Sequence, residues 1–235
     1  MKELLLFVTI VTFASCSNDD SSVPENNIID ENEIPLEQLK GKIKSETTSN
    51  SVTTYYYGKN GYLSKLKFSN DEGYQNSAEF FYDGDKIIGR KLYEGVLLYR
   101  DESYTYSGNL IIKYNNERRN NYMIYSYDDE ENLIQMERFD EGKMYQREEY
   151  KHLNGNVSEL VLIREGSVWS TSKFKYDDKL HPLNTAYPSA YLKTILVGNN
   201  NMIENNSSPI HLEYNSSGLL IKKIKDGEEI IYQYY

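Results

Sequence analysis

The chain of 235 residues has one cysteine, three histidines, five prolines and one tryptophan. A single thiol cannot form an intramolecular disulfide or supply the cysteine ligands of a zinc site or an iron–sulfur cluster. The histidines His152, His181 and His211 lie far apart and match no metal-ligand spacing. The sequence therefore predicts no metal and no cofactor, and a fold that depends on packing.

Basic residues are also in the minority, since 26 lysines and arginines face 36 aspartates and glutamates, for a net charge of −10. Such a surface repels phosphate backbones, so the composition predicts no nucleic-acid partner. Serine-hydrolase, zinc-protease and phosphate-loop motifs are missing from the sequence as well. These absences leave no residue predicted to be catalytic.

Acidic residues cluster in segments expected to be turns, for example Asp83 with Asp85 and Asp177 with Asp178. Acids at such positions usually bond to the backbone of the turn. Two alternatives stay open. A polysaccharide-cleaving enzyme needs two carboxylates across one cleft, and calcium takes oxygen ligands of this kind.

The first sixteen residues have the pattern of an export signal. Lys2 precedes an apolar run from Leu4 to Phe13, which is too short for a membrane-spanning helix of about 20 residues. Small residues then lead directly to Cys16. The pattern resembles a bacterial lipobox, which implies a lipoprotein signal peptide at 1–15 and lipidation of Cys16. An ordinary secretory signal is the alternative.

Residues 16–40 form an expected acidic tether. The segment SNDDSSVPENNIIDENE at 17–33 is polar and has no periodicity, so it is expected to be disordered. Its first four residues resemble the acidic export signal of Bacteroidetes surface lipoproteins. The resemblance implies a surface-exposed outer-membrane lipoprotein, attached to the membrane through Cys16; without surface export the domain would lie on the periplasmic face.

Tyrosine is the most conspicuous residue, with 23 copies beside 7 phenylalanines. Aromatic residues recur as pairs separated by one residue, at intervals of 21 to 26 residues except for a longer last step. The second members lie at positions 57, 82, 106, 127, 153, 176 and 214, with Lys151/Leu153 as a degenerate pair. Turn residues follow each pair, then an aliphatic run, then a second turn such as Glu94-Gly95, Glu141-Gly142 or Glu165-Gly166. Each unit predicts two strands and two turns, with both aromatics on one face.

A row of such hairpins shares one ladder and one core, although a single hairpin is unstable. The sequence therefore predicts an all-β domain over residues 41–235, an antiparallel meander of about fourteen strands that forms a coiled sheet, an open spiral or a closed barrel. YYYGKNGYL and YSYDDEENL resemble the tyrosine–aspartate (YD) repeat of Rhs-type proteins. The chain from about residue 40 to 235 resembles small Bacteroidetes YD-repeat lipoproteins, a group largely of unknown function.

The stretch 181–209 interrupts the repeat, and a short helix is expected at 189–196. Two interpretations are open. The stretch caps an open end of the sheet, or it forms a binding loop in which ring faces and amide groups contact a sugar or a peptide. The candidate binding residues of this loop are Tyr187, Tyr191, Asn199, Asn200 and Asn201.

Trp169 is a further binding candidate, and its alternative place is the core beside Val168. Together these patterns favour a lipid-anchored cell-envelope protein that acts as a binding or scaffolding module for a glycan or a protein ligand. A periplasmic or surface enzyme (or accessory) acting on polysaccharide is one alternative. A purely structural shell component is the other.

Overall fold

The computed structural model describes residues 34–195 and 198–235. The predicted signal peptide at 1–15, the lipidation site Cys16 and the tether up to residue 33 lie outside the described residues. Helix α1, Leu36–Leu39, falls within the predicted tether, and Leu39 packs in the core. The folded domain therefore includes residues ahead of position 41. Among the described residues, no helix is long and apolar enough to cross a membrane.

Strands form most of the described chain, and they are numbered β1 to β17. A 3₁₀ turn, Pro182–Thr185, and helix α2, Ser189–Ile195, lie between β12 and β13. The strands are Ile43–Thr47, Ser51–Tyr57, Leu63–Asn70, Gln75–Asp83, Lys86–Glu94, Leu97–Ser107, Leu110–Asn116, Asn121–Tyr127, Leu133–Asp140, Lys143–Leu153, Asn156–Arg164, Ser167–Leu180, Asn200–Asn205, Ser208–Pro209, His211–Tyr214, Leu220–Lys225 and Glu228–Tyr234.

The strands make one antiparallel sheet in which chain neighbours pair in sequence. The last strand, β17, pairs with the first, β1, and Tyr235 N–H donates to the carbonyl of Lys42. Strands β14 and β15 are separated only by Ile210, and they pair with β13 and β16 respectively. The sheet is therefore a nearly closed barrel, which confirms the all-β meander and is not an open spiral.

The turns alternate between two ends of the barrel, which we name the plug end and the rim end. The plug end holds the turns that follow the aromatic pairs, at 58–62, 84–85 and 108–109, together with α1 and the C-terminus. The rim end holds the second turns, at 95–96, 141–142 and 165–166.

In the first four aromatic pairs both rings pack in or against the core, as the alternation of strand side chains predicts. The first position of these pairs is tyrosine or phenylalanine, and the second is a tyrosine whose hydroxyl donates to a carbonyl at the start of the preceding strand. Tyr234 in the last strand donates in the same way, whereas Tyr214 donates to Asp177. We call this row the tyrosine belt. Its bonds join Tyr57 to Ile43 (2.9 Å), Tyr82 to Leu63 (2.6 Å), Tyr106 to Ile87 (3.1 Å), Tyr127 to Ile111 (2.7 Å) and Tyr234 to Leu220 (2.8 Å).

The degenerate unit continues the belt with histidine. The sequence alignment placed its anchor at Leu153, which is wrong, because Leu153 lies exposed at a hairpin tip. His152 pairs with Val157 as Tyr127 pairs with Leu133, and its Nε2 lies 2.8 Å from the carbonyl oxygen of Leu133. A carbonyl only accepts, so Nε2 carries the proton and donates as the tyrosine hydroxyls do.

Removal of one belt hydroxyl should have a small, measurable effect. Replacing Tyr127 by phenylalanine deletes the 2.7 Å bond to Ile111, and we expect the free energy of unfolding to fall by about 1 kcal/mol in urea denaturation. Tyr122 is the matched control, since its hydroxyl has no hydrogen bond to another described residue and its ring stacks on Phe139. Equal losses for the two variants would contradict a stabilising role of the belt.

Candidate functional site

The interruption of the repeat folds over the plug end. Helix α2 confirms the predicted short helix over 189–195, and position 196 of that prediction lies outside the described residues. The carbonyl of Ala186 accepts from the N–H of Leu63 at 2.8 Å, and the Nζ of Lys193 donates to the carbonyl of Glu131 at 2.8 Å. The segment is thus bonded to hairpins β2–β3 and β8–β9, as a cap on this end of the sheet requires.

The two tyrosines expected in a binding loop lie in the core. Tyr191 is 2% exposed, and its ring meets that of Tyr104 edge-on with centroids 5.5 Å apart. The ring centroids of Tyr187 and Tyr191 are 5.0 Å apart. Tyr187 in turn packs against Phe80 at 5.5 Å. Burial raises the pKa of both tyrosine hydroxyls. Neither ring offers a face to a ligand in solution, so both act as the apolar filling of the plug end.

The three asparagines expected to bind a ligand bond instead to the chain itself. The amide of Asn199 donates to the carbonyl of Gly155 at 3.0 Å. Asn200 and Asn156 bond reciprocally at 2.9 and 3.0 Å, and the buried Asn201 donates to two carbonyls at the end of β12. The structure therefore brings these predicted residues together, with Asn199 and Asn200 bonded to hairpin β10–β11 and Asn201 bonded to the end of β12.

His181 begins the cap, where its Nδ1 accepts from the N–H of Leu183 at 3.2 Å. Burial, followed by the nearby positive charge of Lys223, lowers the pKa of His181 to about 4. The folded protein therefore keeps this ring neutral, while the unfolded chain binds a proton below about pH 6.5. Folding stability from this residue is complete above about pH 6.5 and decreases as the pH falls towards about 4.

We expect this proton uptake to cost up to about 3 kcal/mol at pH 4. Asparagine is the matched replacement, because it also accepts at a helix N-terminus and does not titrate. The difference in unfolding free energy between wild type and His181→Asn should shift in favour of the variant between pH 7 and pH 4. A difference that is constant with pH would contradict the assignment.

The centre of the barrel holds a buried ion pair. Glu102 is 2% exposed and accepts from Nε and Nη2 of Arg90 at 2.6 and 3.0 Å. The hydroxyls of Tyr104 and Tyr114 donate to the same carboxylate at 3.1 and 3.0 Å. Burial alone would raise the pKa of Glu102, but these donors and Arg100 hold it below its ordinary value. The group is fully engaged within the protein, which is typical of a structural pair.

Turn acids bond to the backbone as the sequence predicts. The carboxylate of Asp128 accepts from the N–H groups of Glu130 and Asn132 at 3.0 and 2.8 Å. The turn expected at Asp177 and Asp178 is wrong, because both lie within β12, where Asp177 accepts from the N–H of Lys179 at 2.9 Å and from the hydroxyl of Tyr214. Within the described ranges, no group of three or more histidine, cysteine, aspartate or glutamate residues could hold a metal ion.

The rim end presents Trp169 to solvent. The side chain is 64% exposed, so the core alternative for this residue is wrong. Trp169 is the extra residue of a β-bulge, because Val168 pairs with Ile163 and Ser170 pairs with Leu162. The guanidinium of Arg164 lies over the indole, 5.0 Å from the ring centroid.

Three hairpin tips at the rim, at 94–99, 141–145 and 165–169, have the same turn and bulge. Each has a Glu-Gly pair at its turn and an aromatic residue at a β-bulge, namely Tyr99, Tyr145 and Trp169. Bulges often redirect a side chain, and Tyr145 and Trp169 are both classed with the exposed apolar residues. This recurrent pattern was present in the sequence and would have identified the rim, but sequence reasoning used only the turns.

Arg164 is held by a chain of polar contacts that runs into the barrel. Its Nε donates to Gln146 at 3.1 Å, and the amide of Gln146 donates to Glu148 at 2.8 Å. Glu148 is paired with Arg138 at 3.2 Å and accepts from Tyr150 at 2.7 Å. Glu148 is thus neutralised by Arg138, and no carboxylate of the described chain forms an ion pair with Arg164.

No protein-family model and no curated protein matches the chain. Solved structures do share its fold. A porin-like protein from Bacteroides uniformis ATCC 8492 matches with a TM-score of 0.55 and 13% identity, over 82% of this chain and 96% of that one. A chain of the Photorhabdus luminescens Tc holotoxin pore matches with a TM-score of 0.33 and 14% identity, over 74% of this chain and 11% of that one. This score is too low to indicate a shared fold. The first likeness supports the barrel-like β fold alone.

Proposed function

We propose that this protein is a lipid-anchored cell-envelope protein of the YD-repeat type that acts as a binding or scaffolding module, and that the rim end is its binding surface. The observation that carries the proposal is the exposure of apolar side chains at the rim tips. Val96 is 92% exposed, and Val168 is 65% exposed beside Trp169. Exposed apolar residues that lie together, as Val168 and Trp169 do at one tip, are typical of interaction sites.

The course of the chain supports this choice of surface. Helix α1 enters at the plug end, where the Nζ of Lys42 donates to the carbonyl of Thr185 at 2.6 Å. A tether from Cys16 would therefore join the domain at the plug end, which the cap covers. The rim end is the opposite end of the barrel from helix α1.

The outer wall of the barrel supports a domain surrounded by water. Solvent-accessible ion pairs cross neighbouring strands there, including the partly buried pair Lys65–Glu79 at 3.0 Å and the pair Lys175–Glu204 at 2.9 Å. Strand surfaces that contact lipid are apolar instead. We therefore propose that the folded domain lies outside the membrane and is attached to it through a lipid and a tether.

The binding role is tested with two multiple variants of the full chain, extracted in mild detergent and applied to glycan and peptide arrays. The rim variant replaces Val96, Val168 and Trp169 by serine. The control replaces Ile88 and Leu153, exposed apolar residues at the plug end, by serine. We expect array components retained by wild type to be lost, by about tenfold or more in affinity, only in the rim variant. A wild-type chain that retains nothing, or equal losses in both variants, would overturn the proposal.

The anchor is tested separately, because it depends on a different part of the chain. Replacing Cys16 by alanine should move the protein from the membrane fraction to the soluble fraction and abolish labelling with a fatty-acid probe. Replacing Ser15 by alanine is the control and should leave both unchanged. A Cys16→Ala protein that stays labelled and membrane-bound would exclude lipidation at this residue.

A further inference from the structure

Trp169 offers one flat aromatic face at the rim. Arg164 covers part of the indole at 5.0 Å, and the ring still has 64% of its surface exposed. The bulge fixes the backbone beneath it, since both neighbours of Trp169 are paired with β11. An aromatic face of this kind packs against apolar planes such as the C–H face of a sugar ring.

Arg164 beside it is an oriented cation without a counter-ion. Of the five N–H donors of its guanidinium, Nε is bonded to Gln146, and no other hydrogen bond or ion pair of Arg164 occurs within the described chain. The side chain is only half-buried, so its outer edge is accessible. A guanidinium edge binds one planar carboxylate through two parallel hydrogen bonds.

From these two groups we infer that the rim end binds a carboxylate-bearing glycan, with the carboxylate on Arg164 and the sugar ring stacked on Trp169. The inference rests on the proposed function of the rim and names its ligand class. Gln146 is a positioning residue in this site, because its hydrogen bond to Nε of Arg164 holds the guanidinium beside the indole.

The two groups favour a glycan over a peptide, because a sugar acid presents one apolar ring face and one carboxylate together. β12 is paired with β13 only from Phe174 to Leu180, so a peptide that adds to the edge beside Trp169 is the alternative outcome that the test separates. The net charge of −10 opposes a densely charged polyphosphate. One carboxylate on one sugar matches the single uncompensated arginine.

The experiment uses the full chain in mild detergent and three carboxylated oligosaccharides, built from galacturonate, glucuronate and sialate, each with its methyl-esterified counterpart. Trp169 is the only tryptophan, so selectively excited indole fluorescence reports on this site alone. We expect at least one free acid to change the fluorescence and to bind about tenfold or more tightly than its ester. Added salt should weaken the binding of the free acid and leave the binding of the ester unchanged.

Two arginine variants decide whether Arg164 is responsible. Arg164→Gln should abolish the difference between acid and ester, whereas Arg147→Gln, a control on the outer wall where Arg147 pairs with Glu149 at 3.0 Å, should preserve it. Circular dichroism confirms that both variants fold. If Arg164→Gln keeps the preference for the acid, the inference is overturned.

The outcomes also separate this inference from the proposal on which it rests. Equal binding of acid and ester overturns the inference that Arg164 binds a carboxylate, while the rim remains a glycan-binding surface. If no oligosaccharide binds and a peptide on the array is lost in the rim variant, the glycan is overturned and the binding function stands. Loss of no array component in the rim variant overturns both.

Discussion

Replacing Tyr191 by alanine is expected to lower the free energy of unfolding by about 3–5 kcal/mol, as for other large buried aromatic side chains. The ring lies at the centre of the plug end between Tyr104 and Tyr187. Its removal leaves a cavity that the neighbouring strands cannot easily close, because β6, which carries Tyr104, is paired with β5 on one side and β7 on the other. Guanidinium denaturation followed by circular dichroism measures the change.

Two further variants make this result specific. Tyr145→Ala removes a half-exposed ring at the rim and should cost less than about 1 kcal/mol. Tyr191→Phe keeps the ring and should retain most of the stability, which separates packing from the hydroxyl. Replacing residues 182–195 by a Gly-Ser link should cause unfolding or aggregation. A shortened protein that is monomeric and as stable as wild type would show that the segment is no cap.

Replacing Glu102 by leucine is expected to cost about 3–5 kcal/mol as well, for an electrostatic reason. The carboxylate neutralises Arg90, whose guanidinium is held in the barrel interior 2.6 Å from it. Without Glu102 that cation is buried without a counter-ion. The double variant Arg90→Met/Glu102→Leu should recover much of the loss, since it removes the charge together with its partner. If the double variant is less stable than the single one, packing rather than charge explains the effect.

Acid should act on the same pair. The pKa of Glu102 is held below its ordinary value in the folded state, so its contribution to stability is complete above the unfolded pKa of about 4.3 and is lost as the pH falls below it. The Arg90→Met/Glu102→Leu protein lacks this contribution. Its unfolding free energy should therefore change less with acid than that of wild type.

Strand-forming signals in this chain are local, and that is why the sequence predicted the hairpins well. Pairs such as Tyr125 and Tyr127 alternate with polar residues. The turn at 141–142 was predicted from its Glu-Gly sequence, and both of its residues have the positive φ that a tight hairpin turn requires. Alternation and turn chemistry fix strands and faces without knowledge of distant contacts. The short helix α2 was equally visible, because it lies between proline and glycine residues.

The destination of the cap could not be predicted in the same way. Tyr187 and Tyr191 are as suitable for a solvent-facing binding loop as for a core, and only the width of the barrel decides that they fill it. His152 was missed for a related reason. The alignment compared aromatic letters, whereas the belt requires an N–H or O–H donor at a fixed distance from a carbonyl.

The pairing of the first strand with the last determines the order in which the molecule can fold. Strand β1 is made early, yet one of its edges is completed only by β17, nearly the whole domain later in the chain. Contacts of such sequence separation form slowly, because the loop between them must close first. A chain still emerging from the ribosome can form single hairpins but cannot complete the barrel. Pairing of β1 with β17 is therefore expected to follow formation of the hairpins between them.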